Sequence, residues 1–361
     1  VATVVGVPNR LLLTLLLLAA VACSPSSAPR RTAPSPISRP PTLGRVPSTS
    51  AAPDARGSGN AVTLAFGGDV HFEGASRSAL SGGLRAITPL LSAADVAMVN
   101  LETAVTDRGT RAPKEFNFRA PASAFAALRA AGIDVVTEAN NHGMDYGVVG
   151  LRDSIAAARA ARFPVVGIGL DAAAAFAPYR VTVKGQRLAF IGATQVLDNN
   201  LKAAWSAGDG KPGLASAYDE ARLLAAVRAA RATSDTVVVY LHWGEERHTC
   251  PIPRQPEIAR KLAAAGADVV VGSHAHVLLG AGMLGRAFVS YGLGNFVFYA
   301  RGGIGAQTGV LTVTITGRHV DRYRWSPAVI SGGIPRPVTG AAADAARRRW
   351  AALRGCAGLA A

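Results

Sequence analysis

From residue 61 onward the chain repeats one pattern, a short and almost wholly apolar run followed by an alanine-rich stretch of helical length. AVTLAF, DVAMVN, IDVVTE, PVVGIG, LAFIGA, TVVVYLHW and ADVVVG are the apolar runs. Between them lie ASAFAALRAAG, VVGLRDSIAAARAA, AYDEARLLAAVRAARA and PEIARKLAAAG. A strand wet on one face alternates apolar with polar residues, so a continuously apolar strand is buried on both faces. The pattern predicts an α/β fold whose sheets are covered by helices, with glycine closing helices at Gly132 and Gly266. After residue 280 the texture changes: RAFVSYGLGNFVFYA, GVLTVTITG and HVDRYRWSPAVI predict antiparallel strands with tight turns. The expected organisation is one large domain over 61–335, ending in hairpins, and a terminal segment, 336–361, whose helix lies on the outside.

The N-terminal part reads differently. Arg10 precedes LLLTLLLLAAVA, an apolar run of secretory-signal length, too short to span a bilayer, so residues 1–22 read as a signal peptide. The following AVACSPSS resembles a bacterial lipobox, which makes Cys23 a lipid-anchored mature N-terminus; plain secretion is the alternative. Residues 23–60 are rich in Pro, Ser, Ala and Arg and nearly free of large apolar residues, so beyond Cys23 they read as a disordered tether. The folded part is therefore expected on the extracytoplasmic face of the membrane. In an oxidising compartment the two remaining cysteines, Cys250 and Cys356, are disulfide candidates, with two free thiols as the alternative. The net charge of +15 suits an anionic polymer or lipid surface, though compositional bias would also produce it. No basic patch interleaved with aromatics is present, which argues against nucleic acid. Arg347, Arg348 and Arg349 read as the solvated face of the terminal helix.

Polar residues gather where the strands end. Asp69 and His71 follow the first apolar run, and Asn100 and Glu102 the second. Asn140, Asn141 and His142 follow the third, His242, Glu245 and Glu246 follow VVVYL, and His274 and His276 close VVVGSHAH. Ligands of parallel α/β folds bind beyond the carboxyl ends of strands, so these loops should converge on one crevice. Taken singly each residue has a structural role to play, Asp69 as a cap or Asn141 in a turn. Five of the seven histidines, however, fall in these loops. An HxH pair on extended backbone points both rings to one side. Imidazole, carboxylate and amide oxygen together suit a pair of divalent ions such as zinc, manganese or iron, leaving His142 as an acid or anion-stabilising donor.

FGGDVHFEG, NLETAV, FNFRAP, EANNHGMDYG, LHWGEE, GADVVVGSHAHV and YGLGNFVF occur in this order between about residues 62 and 300. Together they resemble the CapA family of capsule synthesis, or poly-gamma-glutamate biosynthesis, proteins, which is related to calcineurin-like metallophosphoesterases. The resemblance implies a layered α/β/β/α sandwich with metal ligands Asp69, His71, Asn141, His242, His274 and His276. Glu102 stands where the phosphoesterases have a bridging aspartate, and Gly143 where an acidic residue usually follows the histidine. These departures bear on phosphatase chemistry more than on metal binding.

The family's link to an anionic capsule polymer implies a membrane-anchored, metal-dependent hydrolase or transferase acting on an envelope polymer or its precursor, within capsule synthesis machinery. His142 is the expected general acid, Arg119 and Arg254 are candidate anion clamps, and Glu245 and Asn295 are further substrate-binding candidates. The alternative is a non-catalytic accessory subunit that binds polyanion or partner proteins. A carbohydrate-binding module ranks last, because aromatics are 6% of residues and most fall in expected strands.

Overall fold

The computed structural model describes residues 57–361. The expected leader, Cys23 and the tether up to residue 56 lie outside the described residues. At the end of the expected tether the backbone is already tied down: Ser58 Oγ and Asn60 Nδ2 donate to the Lys184 carbonyl, at 3.1 and 2.8 Å.

Two sheets carry the fold. The first has the order Ile334–Pro337, His319–Ser331, Gln307–Thr316, Val62–Val70, Val96–Leu101, Val135–Thr137, Val165–Val166, with Asn295–Val297 paired to the end of Val62–Val70. The second runs Ala281–Leu284, Ala287–Ser290, Val269–His274, Thr236–Trp243, Gln186–Thr194, Tyr179–Val183. The central strands of both are parallel. Alternate side chains of each strand enter different cores, as burial on two faces requires. Val62, Leu64 and Phe66 pack with Val238, Tyr240, Val269 and Val271 between the sheets. On the other face of the first sheet, Ala65, Ala97, Val99 and Val136 pack under Phe125 and Leu128 of the helix Ala124–Ala130 and Ala158 of Gly147–Ala161. On the second, Val237, Val239 and Leu241 lie under Leu223 and Val227 of Glu220–Thr233 and Ile258 and Leu262 of Arg254–Ala265. The result is the expected α/β/β/α sandwich. No helix among the described residues is long and apolar enough to cross a membrane.

The C-terminal third departs from expectation in one place. Only the first half of RAFVSYGLGNFVFYA forms the expected hairpin, Ala287–Ser290 pairing antiparallel with Ala281–Leu284. Ala287–Ser290 pairs parallel to Val269–His274 in the second sheet, and Asn295–Val297 pairs parallel to the end of Val62–Val70 in the first. The connection crosses between sheets because Gly68 lets the two backbones touch: a Cβ there would collide with the Gly294 carbonyl. Asp69 N donates to that same carbonyl at 2.9 Å. Gln307–Thr316, His319–Ser331 and Ile334–Pro337 are antiparallel as expected. The last of these strands runs across the expected boundary at 335/336. The terminal helix, Gly340–Ala352, is also less external than its sequence suggests, since Trp350 stacks on Trp325 at 5.3 Å and joins the inter-sheet core. Beyond it Cys356 is disulfide-bonded to Cys250.

Candidate metal centre

The carboxyl ends of the parallel strands bring the polar residues of both sheets together. Asp69 and Asn100 sit next to last in their strands, aligned as neighbours in register. In the facing strands of the second sheet His242 stands next to last and His274 last. Asn100 Nδ2 donates to Asp69 Oδ1 at 2.8 Å and lies 3.1 Å from His242 Nδ1, so one buried amide spans the two sheets. Asn140 Nδ2 donates to Asn100 Oδ1 at 2.9 Å, and its own Oδ1 accepts the His142 N–H at 2.9 Å. Asn100 and Asn140 thus form the floor that orients the groups above it.

Above that floor, Glu102, His274 and His276 offer ligand atoms within 4.8 Å of one another. His242 Nε2 lies 3.4 Å from Glu102 Oε1 and 2.7 Å from Asn141 Oδ1. Both Glu102 oxygens and His274 Nδ1 are buried with no hydrogen-bond partner. A buried carboxylate without a partner is expensive unless a cation completes it. The donor set therefore fits a divalent ion held by Glu102, Asn141, His242 and His274. Asp69 and His276 stand beside it, with His276 Nδ1 at 3.4 Å from Asp69 Oδ2.

The HxH pair does not reach this place by strand alternation, as its sequence suggests. His274 has φ 97° and His276 φ 55°, both in the left-handed region that side chains with a Cβ avoid. Asp69 Oδ2 accepts the His274 N–H at 3.2 Å, and Asn295 holds the next residue but one. Asn295 Oδ1 accepts from His276 Nδ1 at 2.9 Å, while its Nδ2 donates to the carbonyls of His276 and Gly305 at 3.1 and 2.9 Å. Asn295, expected as a substrate-binding residue, is fully engaged in aiming His276 Nε2, the usual work of the partner behind a ligating histidine.

His71 lies beside the cluster, within electrostatic reach of His142, His276 and Asp69. Its ring lies among Phe298, Tyr299 and Phe118, with centroids at 4.0, 4.5 and 4.7 Å. The Glu73 N–H donates to Nδ1 at 3.1 Å, which leaves the ring proton on the buried, unpartnered Nε2. A proton there must leave before His71 can act as the expected ligand.

His142 acquires a partner that its sequence motif conceals. Its Nδ1 donates to Asp145 Oδ2 at 2.6 Å, and Asp145 is also paired with Lys114 at 2.7 Å and accepts the Phe118 N–H at 2.6 Å. Asp145, three residues on, supplies the carboxylate that Gly143 cannot. Sequence reasoning misses both: Asp145 stands within EANNHGMDYG without a role, and Lys114 lies two residues before FNFRAP, outside every motif. His142 Nε2 points to Glu102 Oε1, 4.0 Å away.

Electrostatics follow from burial. Desolvation, then the Lys114 cation, holds His142 well below the ordinary histidine value, and desolvation with His242 and His276 does the same for His274. Burial also brings His71 down to about 3. For His276 burial acts downward, but the Glu102 and Asp69 carboxylates outweigh it and raise it to about 9. Burial opposes ionisation of Asp69, yet the His276 hydrogen bond and the charge of His242 hold it below the carboxylate range. Burial pushes Asp145 up to about 7, against the pull of Lys114. With its Nδ1 proton hydrogen-bonded to Asp145, His142 presents Nε2 to the crevice as a proton acceptor, and the same atom serves as the expected acid once it has taken up a proton.

The remaining expected residues divide. Arg254 is not an anion clamp: its guanidinium is paired with Glu220 and with Glu257 at 2.9 Å, a network that includes Lys261. Glu245 is exposed and lies 3.6 Å from His248. Its neighbour Glu246 is the acid whose charge acts on His276 and Tyr299. Arg119 is exposed, with its guanidinium 5.2 Å from the centre of the Tyr146 ring.

The family model for "Bacterial capsule synthesis protein PGA_cap" matches residues 63–300. The chain is 30% identical over 256 residues to the PGA biosynthesis protein CapA of Bacillus subtilis, covering 70% of this chain and 66% of that one. It is 31% identical over 264 residues to the capsule biosynthesis protein CapA of Bacillus anthracis, covering 71% and 63%. The chain thus spans just under two thirds of the length of these curated relatives. Among solved structures it is similar to a phosphatase from Mycoplasma pneumoniae, at 15% identity and a TM-score of 0.49, over 75% of this chain and 94% of that one. With the family match covering its strand-end motifs from Asp69 to Asn295, the chain belongs to the PGA_cap family of bacterial capsule synthesis proteins.

Proposed function

We propose that the protein is an extracytoplasmic, metal-dependent hydrolase, anchored to the membrane through Cys23, that acts on an anionic envelope polymer or its precursor. The observation that carries this reading is Glu102, a buried carboxylate with both oxygens unpartnered, facing three imidazoles beside His142, which is backed by Asp145. Glu102, Asn141, His242 and His274 would hold one divalent ion, with Asp69 and His276 positioned for a second. Such ions, zinc, manganese or iron, supply Lewis acidity and lower the pKa of water, so that hydroxide is present at neutral pH. His142 Nε2 accepts a proton from the attacking water and returns it to the leaving group, while Asp145 holds the ring through Nδ1–H. Asn100 and Asn140 fix Asp69, His242 and the His142 backbone so that little reorganisation is needed during the reaction. The Bacillus subtilis relative is a PGA biosynthesis protein, and poly-gamma-glutamate, the polymer implied by the family resemblance, is the one this reading favours.

Elemental analysis of the mature protein tests the reading directly, followed by assay of phosphoester and amide substrates. Bound transition metal in the wild type, its loss in H274A/H276A, and retained metal with lost turnover in H142A are expected. Metal-free protein after attempted loading would end it. Capsule function unchanged in H142A, with metal retained, would move the protein to an accessory role in polymer synthesis or export.

A further inference from the structure

Beside the metal centre lies an open groove of about 510 Å³, lined by Glu73, Arg77, Asp107, Arg111, Arg119 and Tyr146. None of these six is a candidate ligand, yet the groove shares its wall with the site. Arg119 follows Phe118, whose ring stacks on His142 at 4.0 Å, and Tyr146 follows Asp145, bonded to the same histidine. The buried Tyr146 organises two guanidiniums: Arg119 lies over its ring at 5.2 Å, and Arg111 Nε donates to its hydroxyl at 3.4 Å.

Like Arg322 and Arg324, these arginines carry no ion pair among the described residues; what distinguishes them is that three line one groove next to the residues that hold His142. Arg108, Arg187, Arg222 and Arg254 are each ion-paired to a carboxylate. Among the described residues, Arg77, Arg111 and Arg119 have no ion-pair partner, although Glu73 and Asp107 line the same groove. A compact multivalent ion in the groove would meet those two carboxylates as well as the arginines. Charges spaced along a chain can meet the guanidiniums one at a time. We propose that the groove binds the chain of an oxyanion-bearing polymer, carboxylate or phosphate, at Arg77, Arg111 and Arg119, while the bond to be cleaved lies at the metal centre. The proposal rests on the polyanion substrate inferred above and names the surface that would select it.

The test is fluorescence anisotropy of a labelled deca-glutamate on the full protein, as a function of salt. R77Q/R111Q/R119Q should weaken binding about tenfold, as expected of three solvent-exposed ion pairs together. R322Q/R324Q, which removes two exposed charges from the strand His319–Ser331, should leave it unchanged. R77Q/R111Q/R119Q should keep the metal content of the wild type, so that failure of the hydrolase reading and failure of the groove are separate results. Equal affinity in the triple variant and wild type overturns the proposal, as does an equal loss in R322Q/R324Q, which would indicate general attraction to net charge. A polyphosphate of matched length that binds tenfold tighter, and is equally sensitive to the triple variant, supports the groove and assigns it to phosphate rather than carboxylate chains.

Discussion

Metal should bind this protein in competition with one identifiable proton. Without an ion, His276 is raised to about 9, because the Glu102 and Asp69 carboxylates stabilise its charged form more than burial penalises it. His274, by contrast, is held neutral by burial. The sign is definite: a group with a raised pKa holds its proton below that value, so at neutral pH a cation must expel the His276 proton before Nε2 can ligate. Between pH 7 and 9 the apparent affinity should therefore rise about tenfold per pH unit. The rise flattens near pH 9, where half of the imidazole is still protonated, so the total is roughly 50-fold, or about 2.3 kcal/mol, over the interval. Titration calorimetry with manganese, in pairs of buffers with different ionisation enthalpies, measures the proton count directly. Near pH 7.5 it should give close to one proton released per ion that engages His276, falling toward zero above pH 9. A pH-independent affinity with no proton released would refute the assignment of His276 as a charged imidazole displaced by metal. H276N should flatten the pH dependence over the same range while weakening binding.

Other outcomes follow from the same geometry. D145N should lower turnover about 10²-fold or more and distort the pH–rate profile while leaving metal content unchanged, because it removes the carboxylate that holds His142; a change in melting temperature alone would indicate a merely structural role. Glu138 is buried, and desolvation raises it to about 8, so the folded state keeps a proton that the unfolded chain releases above the ordinary glutamate value. Its contribution to stability is fully present below about pH 4.5 and lost as pH rises toward 8; E138Q should therefore gain on the wild type by a few kcal/mol across that window in urea melts, and a constant difference would refute this. Replacing both Cys250 and Cys356 by serine frees a loop of 106 residues and should cost up to about 4–5 kcal/mol by denaturant titration, with metal content retained.

The fold class and the chemistry of the site are local properties, which is why the chain could be read unaided. Burial on both faces writes itself into VTLAF, VVVYL and DVVVG as unbroken apolar runs. Polar residues immediately after such runs must lie at the carboxyl ends of parallel strands. That rule places Asp69, His71, Glu102, Asn141, His242, His274 and His276 in one crevice, and the structure brings Glu102, Asn141, His242, His274, His276 and Asp69 together there, with the His71 ring set among aromatic side chains beside them. What only tertiary structure decided are the pairings between distant residues. Asn100 meets His242, 142 positions away, and Asn295 aims His276 from a segment that crosses between sheets, which strand pattern alone read as a hairpin. Asp145 takes over as partner of His142 because a turn, not a spacing rule, brings it within 2.6 Å. Arg119 and Arg254 look alike as loop arginines; packing pairs one with glutamates and leaves the other open to the groove. Even the HxH pair, correctly located, is aimed by left-handed backbone that packing imposes against local preference. Periodicity records which side of a strand is buried. The partner that meets a side chain across tens of residues is decided by long-range packing, which has no counterpart in any local stretch of sequence.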